Sequence, residues 1–223
     1  MKVSEALEAR MSVRAFTEQE IPVETVRRVF GAASRAPSGG NLQPWRIVIL
    51  SGEKLDEFKS LMRKRLDGEP HPEGDAAEYS VYPPNLKEPY RTVRYEVGEE
   101  MYGLLGISRE EKPKRLEWFA NNYQFFGAPA AAFCFVDRIM GPPQWSDLGM
   151  YLQSVMLLFQ EEGIDTCAQE CWSTHPRTVR DFCGMPEELM LFCGMAIGYR
   201  DKNHPVNRLR TKRMASEEWL KVL

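Results

Sequence analysis

The stretch APSGGNLQPW, residues 36–45, lies between a helix-like segment and the apolar run RIVIL, residues 46–50. A plain turn needs one or two residues that tolerate positive φ and a proline to fix the first dihedral. Here two glycines, a serine, an asparagine, a glutamine and a tryptophan are packed between Pro37 and Pro44. That is more small and polar equipment than a turn requires, and it describes a surface prepared to touch something.

The length, 223 residues, predicts one compact domain over 1–223 with a full core. A composition of 43% hydrophobic, 11% aromatic and 27% charged residues is ordinary for a globular chain. A net charge of -3 argues against nucleic acid as a partner. No apolar run reaches the ~18–20 residues of a membrane span, and MKVSEALEARMSVRAF lacks the apolar centre of a signal peptide. Five cysteines, an odd number, favour reduced thiols. The expectation is a cytoplasmic protein with no membrane partner.

Working outward from the loop, VSEALEARM has Val3, Leu7 and Met11 at helical spacing, and PVETVRRVFGAASRA repeats the pattern behind Pro22. RIVILSG reads as a buried strand, and EKLDEFKSLMRKRL as a helix through Leu55, Phe58, Leu61, Met62 and Leu66. Periodicity dissolves from Asp67 to about Pro89, and a loop that long is usually a lid or a binding loop. PAAAFCFVD then reads as a strand, DLGMYLQSVMLLFQEEGI as a strongly apolar helix capped by Asp147, and LMLFCGMAIGY as a glycine-interrupted strand. Cys167, Cys171 and His175 would align as soft metal ligands only on a continuous helix, which Trp172 and Pro176 argue against, so no metal is expected.

No GxSxG elbow, Walker loop or GxGxxG order is present. In ARMSVRAF, by contrast, Arg10, Ser12 and Arg14 alternate, which in an extended segment puts two guanidiniums and a hydroxyl on one face, a grip suited to phosphate. A basic cluster follows near the C-terminus, with Arg208, Arg210, Lys212 and Arg213.

RMSVRAF, PSGGNLQPW, GIDTCAQECW and NRLRTKR, in that order, resemble the FMN-dependent nitroreductase family across nearly the whole chain. The resemblance implies an α+β fold with a mixed, mainly antiparallel central sheet surrounded by helices, in an intertwined homodimer. It implies FMN as cofactor, with NAD(P)H as reductant and a small aromatic electron acceptor reduced in a ping-pong cycle on the flavin, whose N5 carries the chemistry with no catalytic side chain. Arg10, Ser12 and Arg14 would hold the phosphate, joined by Arg213 from the tail, with Arg210 and Arg208 close enough to compete. Pro37, Ser38, Gly39, Asn41 and Gln43 would meet the ring and ribityl chain, and Gln169 and Glu170 would lie along the ring, with an amide near Glu170 facing N5. The apolar helix from Leu148 to Phe159 would form the dimer core, and a tail from about 200 to 223 would embrace the second chain. The excursion at about 67–120 would act as a lid, with Tyr82, Tyr90, Arg91 and Arg94 facing the substrate and an arginine favouring carboxylate-bearing acceptors. Two other readings stay open: reductive dehalogenation of halogenated aromatics, and flavin binding or storage without turnover.

Overall fold

The computed structural model describes residues 1–72 and 75–223. Residues 73 and 74, within the irregular stretch expected over 67–89, lie outside the described residues.

Four strands form one sheet in the order β1-β2-β4-β3: β1 is Arg46–Ser51, β2 Ala130–Asp137, β3 Asp165–Gln169 and β4 Leu189–Gly198. All three ladders are antiparallel, and the one parallel contact is an isolated bridge between Ser12 and Thr166. Among the described residues there are seven α-helices: α1 Val3–Ala9, α2 Val23–Ala33, α3 Gly52–Leu66, α4 Tyr90–Leu104, α5 Lys112–Ala120, α6 Pro142–Glu161 and α7 Pro176–Cys183.

The central strand β2 is buried on both faces, which is why AAAFCFV reads as a continuous apolar run. Its alternate residues sort into two cores. Ala130, Ala132, Cys134 and Val136 meet α2 and α6, whereas Ala131, Phe133 and Phe135 meet α3 and Trp172. Trp172 is fully buried with the rings of Phe58, Tyr123, Phe125 and Phe133 all within 5.4 Å of its own.

Several expectations are corrected. RIVILS is an edge strand rather than a buried one, because β1 pairs only with β2 and buries only Leu50. Helix α1 forms as expected, but Val3 and Leu7 are exposed and only Ala6 is buried. Asp147 is not a cap: α6 begins earlier, at Pro142 behind Gly141, where a proline lacking an N–H costs no hydrogen bond. The excursion at about 67–120 is not loop throughout, since α4 and α5 occupy Tyr90–Leu104 and Lys112–Ala120. Cys167 lies on β3 and His175 just before α7, so no helix lines up those ligands, and all five cysteines are free.

Gly194 faces the Trp172 indole so closely that a Cβ there would stand 2.3 Å from its Cδ1. Since Trp172 is locked among four rings, Gly194→Ala is expected to destabilise the protein by about 1–3 kcal/mol. Urea denaturation measures this, and an unchanged midpoint would show that the indole has room to move.

Candidate functional site

The site starts from a run that is extended but belongs to no ladder. After α1 the chain leaves the helix at Arg10, and Met11, Val13 and Ala15 turn into the protein, leaving Arg10, Ser12 and Arg14 on the opposite, partly exposed face. Backbone bonds fix this register: the Val13 amide donates to Thr166 O at 3.0 Å, Phe16 to Phe126 O at 3.2 Å, and Thr17 to Tyr199 O at 2.8 Å. Asn207 ties the C-terminal segment to the same run. Its Oδ1 accepts from the Arg14 amide at 3.0 Å, and its Nδ2 donates to Ala15 O at 2.8 Å.

Beside the run, Arg200 grips the buried Asp165 through two hydrogen bonds, one of them Nε to Oδ2 at 2.7 Å, and reaches Ala9 O at 3.3 Å. The Asp165 bond pushes the Arg200 pKa up. The pair therefore locks the exit of α1 against β3.

Arg10, Ser12, Arg14, Arg210 and Arg213 line one cavity of about 940 Å³, with Leu7, Met11 and Leu209 among its apolar walls. Arg208 is exposed and outside it. Among the described residues no carboxylate lies within ion-pair distance of these four guanidiniums. The Arg10 Nε is buried and has no hydrogen-bond partner, and burial, with Arg213 second, lowers the Arg10 pKa. Four guanidiniums outnumber the two acids of the lining, Glu5 and Glu8, and with one buried donor unpaired they suit an anion with several oxygens.

The 36–45 loop is built separately. Gly40, Asn41 and Gln43 take left-handed φ of 57°, 58° and 49°, a region that glycine and asparagine tolerate and glutamine rarely visits. The Ser38 hydroxyl accepts the Gln43 amide at 3.0 Å, and the Asp147 carboxylate accepts the Gly39 amide at 3.2 Å through both oxygens. Trp45 stacks on Tyr151 with centroids 4.5 Å apart. Ser38, Gly39, Asn41 and Gln43 do not line the arginine cavity of the same chain; Pro37 lines a shallow apolar groove between α1, α2 and α6.

The family model described as "Nitroreductase family" matches residues 7–199. The chain belongs to the nitroreductase family. A chloronitrobenzene nitroreductase of Comamonas testosteroni is 30% identical over 97% of this chain and 95% of its own, and a 4-nitrobenzoate reductase of Pseudomonas putida 32% over 92% and 88%. The crystal structure of the FMN and NADPH-dependent nitroreductase NfnB from Sphigopyxis sp. strain HMH superposes with a TM-score of 0.94 at 44% identity, covering 100% of this chain and 99% of that one. The fold is thus the nitroreductase fold.

Within this nitroreductase fold, Gln169 is buried, and its amide donates to Asn122 O at 2.7 Å and accepts from the Trp172 indole at 3.2 Å, so its side chain serves packing. Glu170 opens the 3₁₀ turn after β3; solvent reaches the residue, yet partial desolvation raises its carboxyl pKa. Of the expected substrate residues, Arg91 is already paired with Glu88 at 2.6 Å. The Arg94 guanidinium lies 3.9 Å over the Tyr82 ring, and Tyr90 and Tyr82 are exposed. Tyr79 is no lid residue, since its hydroxyl donates to Phe192 O.

Sequence reasoning missed three groups. Asp147 was read as a cap because an acid ahead of an apolar run is the usual N-terminal signal. Asn207 was hidden inside the basic cluster. Phe125 and Phe126, both left-handed at φ 51° and 53°, gave no signal, because bulky residues are rarely placed there.

Proposed function

We propose that the protein is a cytoplasmic FMN-dependent NAD(P)H oxidoreductase that reduces nitroaromatic acceptors, working as a homodimer. The observation that carries the cofactor assignment is the arginine cavity, whose four guanidiniums without an ion pair among the described residues, serine hydroxyl and orphan Arg10 Nε fit a terminal phosphate. When bound, FMN supplies the two-electron chemistry that links NAD(P)H to the acceptor. The chain's own residues bind and orient. Arg10, Arg14 and a tail arginine neutralise the phosphate, with Arg213 and Arg210 both in reach, and Ser12 adds a neutral donor.

The homodimer reading rests on two features of the single chain. Residues 38–43 sit outside the arginine cavity, and on this reading a second copy brings its glycine-rich loop to the ring and ribityl chain. The groove between α1, α2 and α6, with Ala32, Ala33, Pro37, Leu157 and Leu158, leaves apolar surface on α6 for that copy to cover, and the tail beyond Tyr199 ends in the exposed Trp219, Leu220 and Val222. On this reading 1–223 is one domain with a lid at about 67–120 and an embracing tail at about 200–223. The amide near Glu170 faces the flavin, and Tyr82, Tyr90, Arg91 and Arg94 face the acceptor. Five free cysteines support a reducing compartment, and among the described residues no helix is long and apolar enough to cross a membrane.

Riboflavin, which lacks the phosphate, separates a phosphate grip from general loss of structure. Arg14→Ala is expected to weaken FMN binding by roughly 10- to 150-fold, from a charged contact on the order of 1.5–3 kcal/mol, and to leave riboflavin binding unchanged. Titration of the apoprotein with each flavin checks this. Equal losses for both would remove the phosphate from Arg14.

Arg94, free of any carboxylate partner among the described residues, is the arginine suited to an acceptor's carboxylate, whereas Arg91 is occupied by Glu88. Arg94→Ala is expected to lower kcat/KM for 4-nitrobenzoate relative to nitrobenzene by roughly tenfold. A ratio held within about twofold, against the tenfold that ~1.4 kcal/mol produces, would take Arg94 out of substrate selection.

A further inference from the structure

The chain has three histidines, and two of them, His71 four residues away and His175 a hundred residues on, converge on the carboxylate of Asp75. His71 Nδ1 lies 3.3 Å and His175 Nδ1 3.7 Å from the same oxygen, Asp75 Oδ2. The candidate ligand atoms of the three residues all lie within 4.8 Å of one another.

Asp75 is held for this. Its side chain is fully enclosed; Oδ1 accepts the Arg177 and Thr178 amides at 2.9 and 3.2 Å, and Oδ2 accepts the Thr178 hydroxyl at 2.6 Å. Three donors from α7 thus orient the carboxylate and leave one lone-pair direction of Oδ2 toward the imidazoles, the outer-shell arrangement that fixes ligating carboxylates. His175 is braced by the Tyr123 ring, edge-on at 4.9 Å, and its Nδ1 is buried without a hydrogen-bond partner, since 3.7 Å is too long for one. The His71 contact at 3.3 Å is a long hydrogen bond, and both separations, 3.3 and 3.7 Å, also lie near the spacing of donor atoms around a tetrahedral first-row cation, roughly 3.3 Å for bonds of about 2.0 Å.

We propose that His71, Asp75 and His175 form a divalent-cation site of zinc type, with water in the fourth position, that staples the 67–89 segment to α7. Two imidazoles and a carboxylate are a borderline donor set suited to zinc rather than to calcium or magnesium. The two rings are stacked with centroids 4.7 Å apart, so one must rotate about its Cβ–Cγ bond to bring its nitrogen lone pair toward the cation. The outer, exposed His71 is the one free to turn. The site is independent of the flavin reading: it shares no residue with the arginine cavity and lies on the segment expected to cover the acceptor.

Equilibrium dialysis of the untagged protein against Zn²⁺, with metal analysis, tests it. The expected result is one Zn²⁺ per chain, with affinity lowered at least tenfold by His71→Ala and by His175→Gln and unchanged by His204→Gln. Co²⁺ substituted at the site should show tetrahedral d–d bands without a sulfur charge-transfer band. His71 is exposed, so its variant keeps the fold and decides the matter if the His175 variant unfolds. Absence of stoichiometric binding, affinity insensitive to His71→Ala, or a sulfur band placing the metal on a cysteine would each overturn the proposal.

Discussion

Everything the site can do depends on the extended register of residues 10–16. Hydrogen bonds to Thr166, Phe126 and Tyr199 fix which side chains turn inward, and a slip of one residue would bury guanidiniums and expose Met11, Val13 and Ala15. The Arg200–Asp165 pair clamps the start of the run, and Asn207 clamps its middle from the C-terminal segment. Because Asn207 holds both Arg14 and Ala15 while the chain continues to Leu209 and Arg210, the same contacts that set the register also deliver the tail arginines to the cavity.

The cost of that delivery is electrostatic. Gathering four guanidiniums around a cavity that holds only Glu5 and Glu8 as acids, neither in an ion pair with them, disfavours the bare protein, and the lowered pKa of Arg10 reports the burial and the neighbouring Arg213. An anion would relieve the repulsion and satisfy the buried Nε at once, which is why the proposed function puts a phosphate there. Loop 36–45 is likewise held under strain, with Gln43 left-handed and Asp147 fastening Gly39 from inside α6. The clamp is long-range: it fixes the loop to a buried helix rather than to its own turn.

Most elements were legible because their signals are local. Helical periodicity marked α2, α3 and α6, the apolar run marked β2, and the alternation in RMSVR marked the charged face before any partner strand was known. What escaped depended on contacts between distant residues. Whether RIVIL is central or edge is decided by the sheet order, and Val3 and Leu7 stay exposed because no other element among the described residues packs over that face of α1. Asp147 shows the same limit: its partner amide is more than a hundred residues away, so proximity to an apolar run suggested a cap that the longer helix overruled. His175 stands about a hundred residues from His71 and Asp75 and escapes for the same reason, while the evenly spaced Cys167, Cys171 and His175 share no helix, as Trp172 and Pro176 imply.

The central claim is that two copies of the chain complete each flavin site, one giving the arginine cavity and the other the 36–45 loop. A crystal structure of the protein loaded with FMN tests it most directly. The account predicts the phosphate within hydrogen-bond distance of Arg10, Ser12 and Arg14 of one chain, and the ring against residues 37–43 of the other. A phosphate placed away from Arg10 and Arg14, or a flavin enclosed by one chain alone, would contradict it.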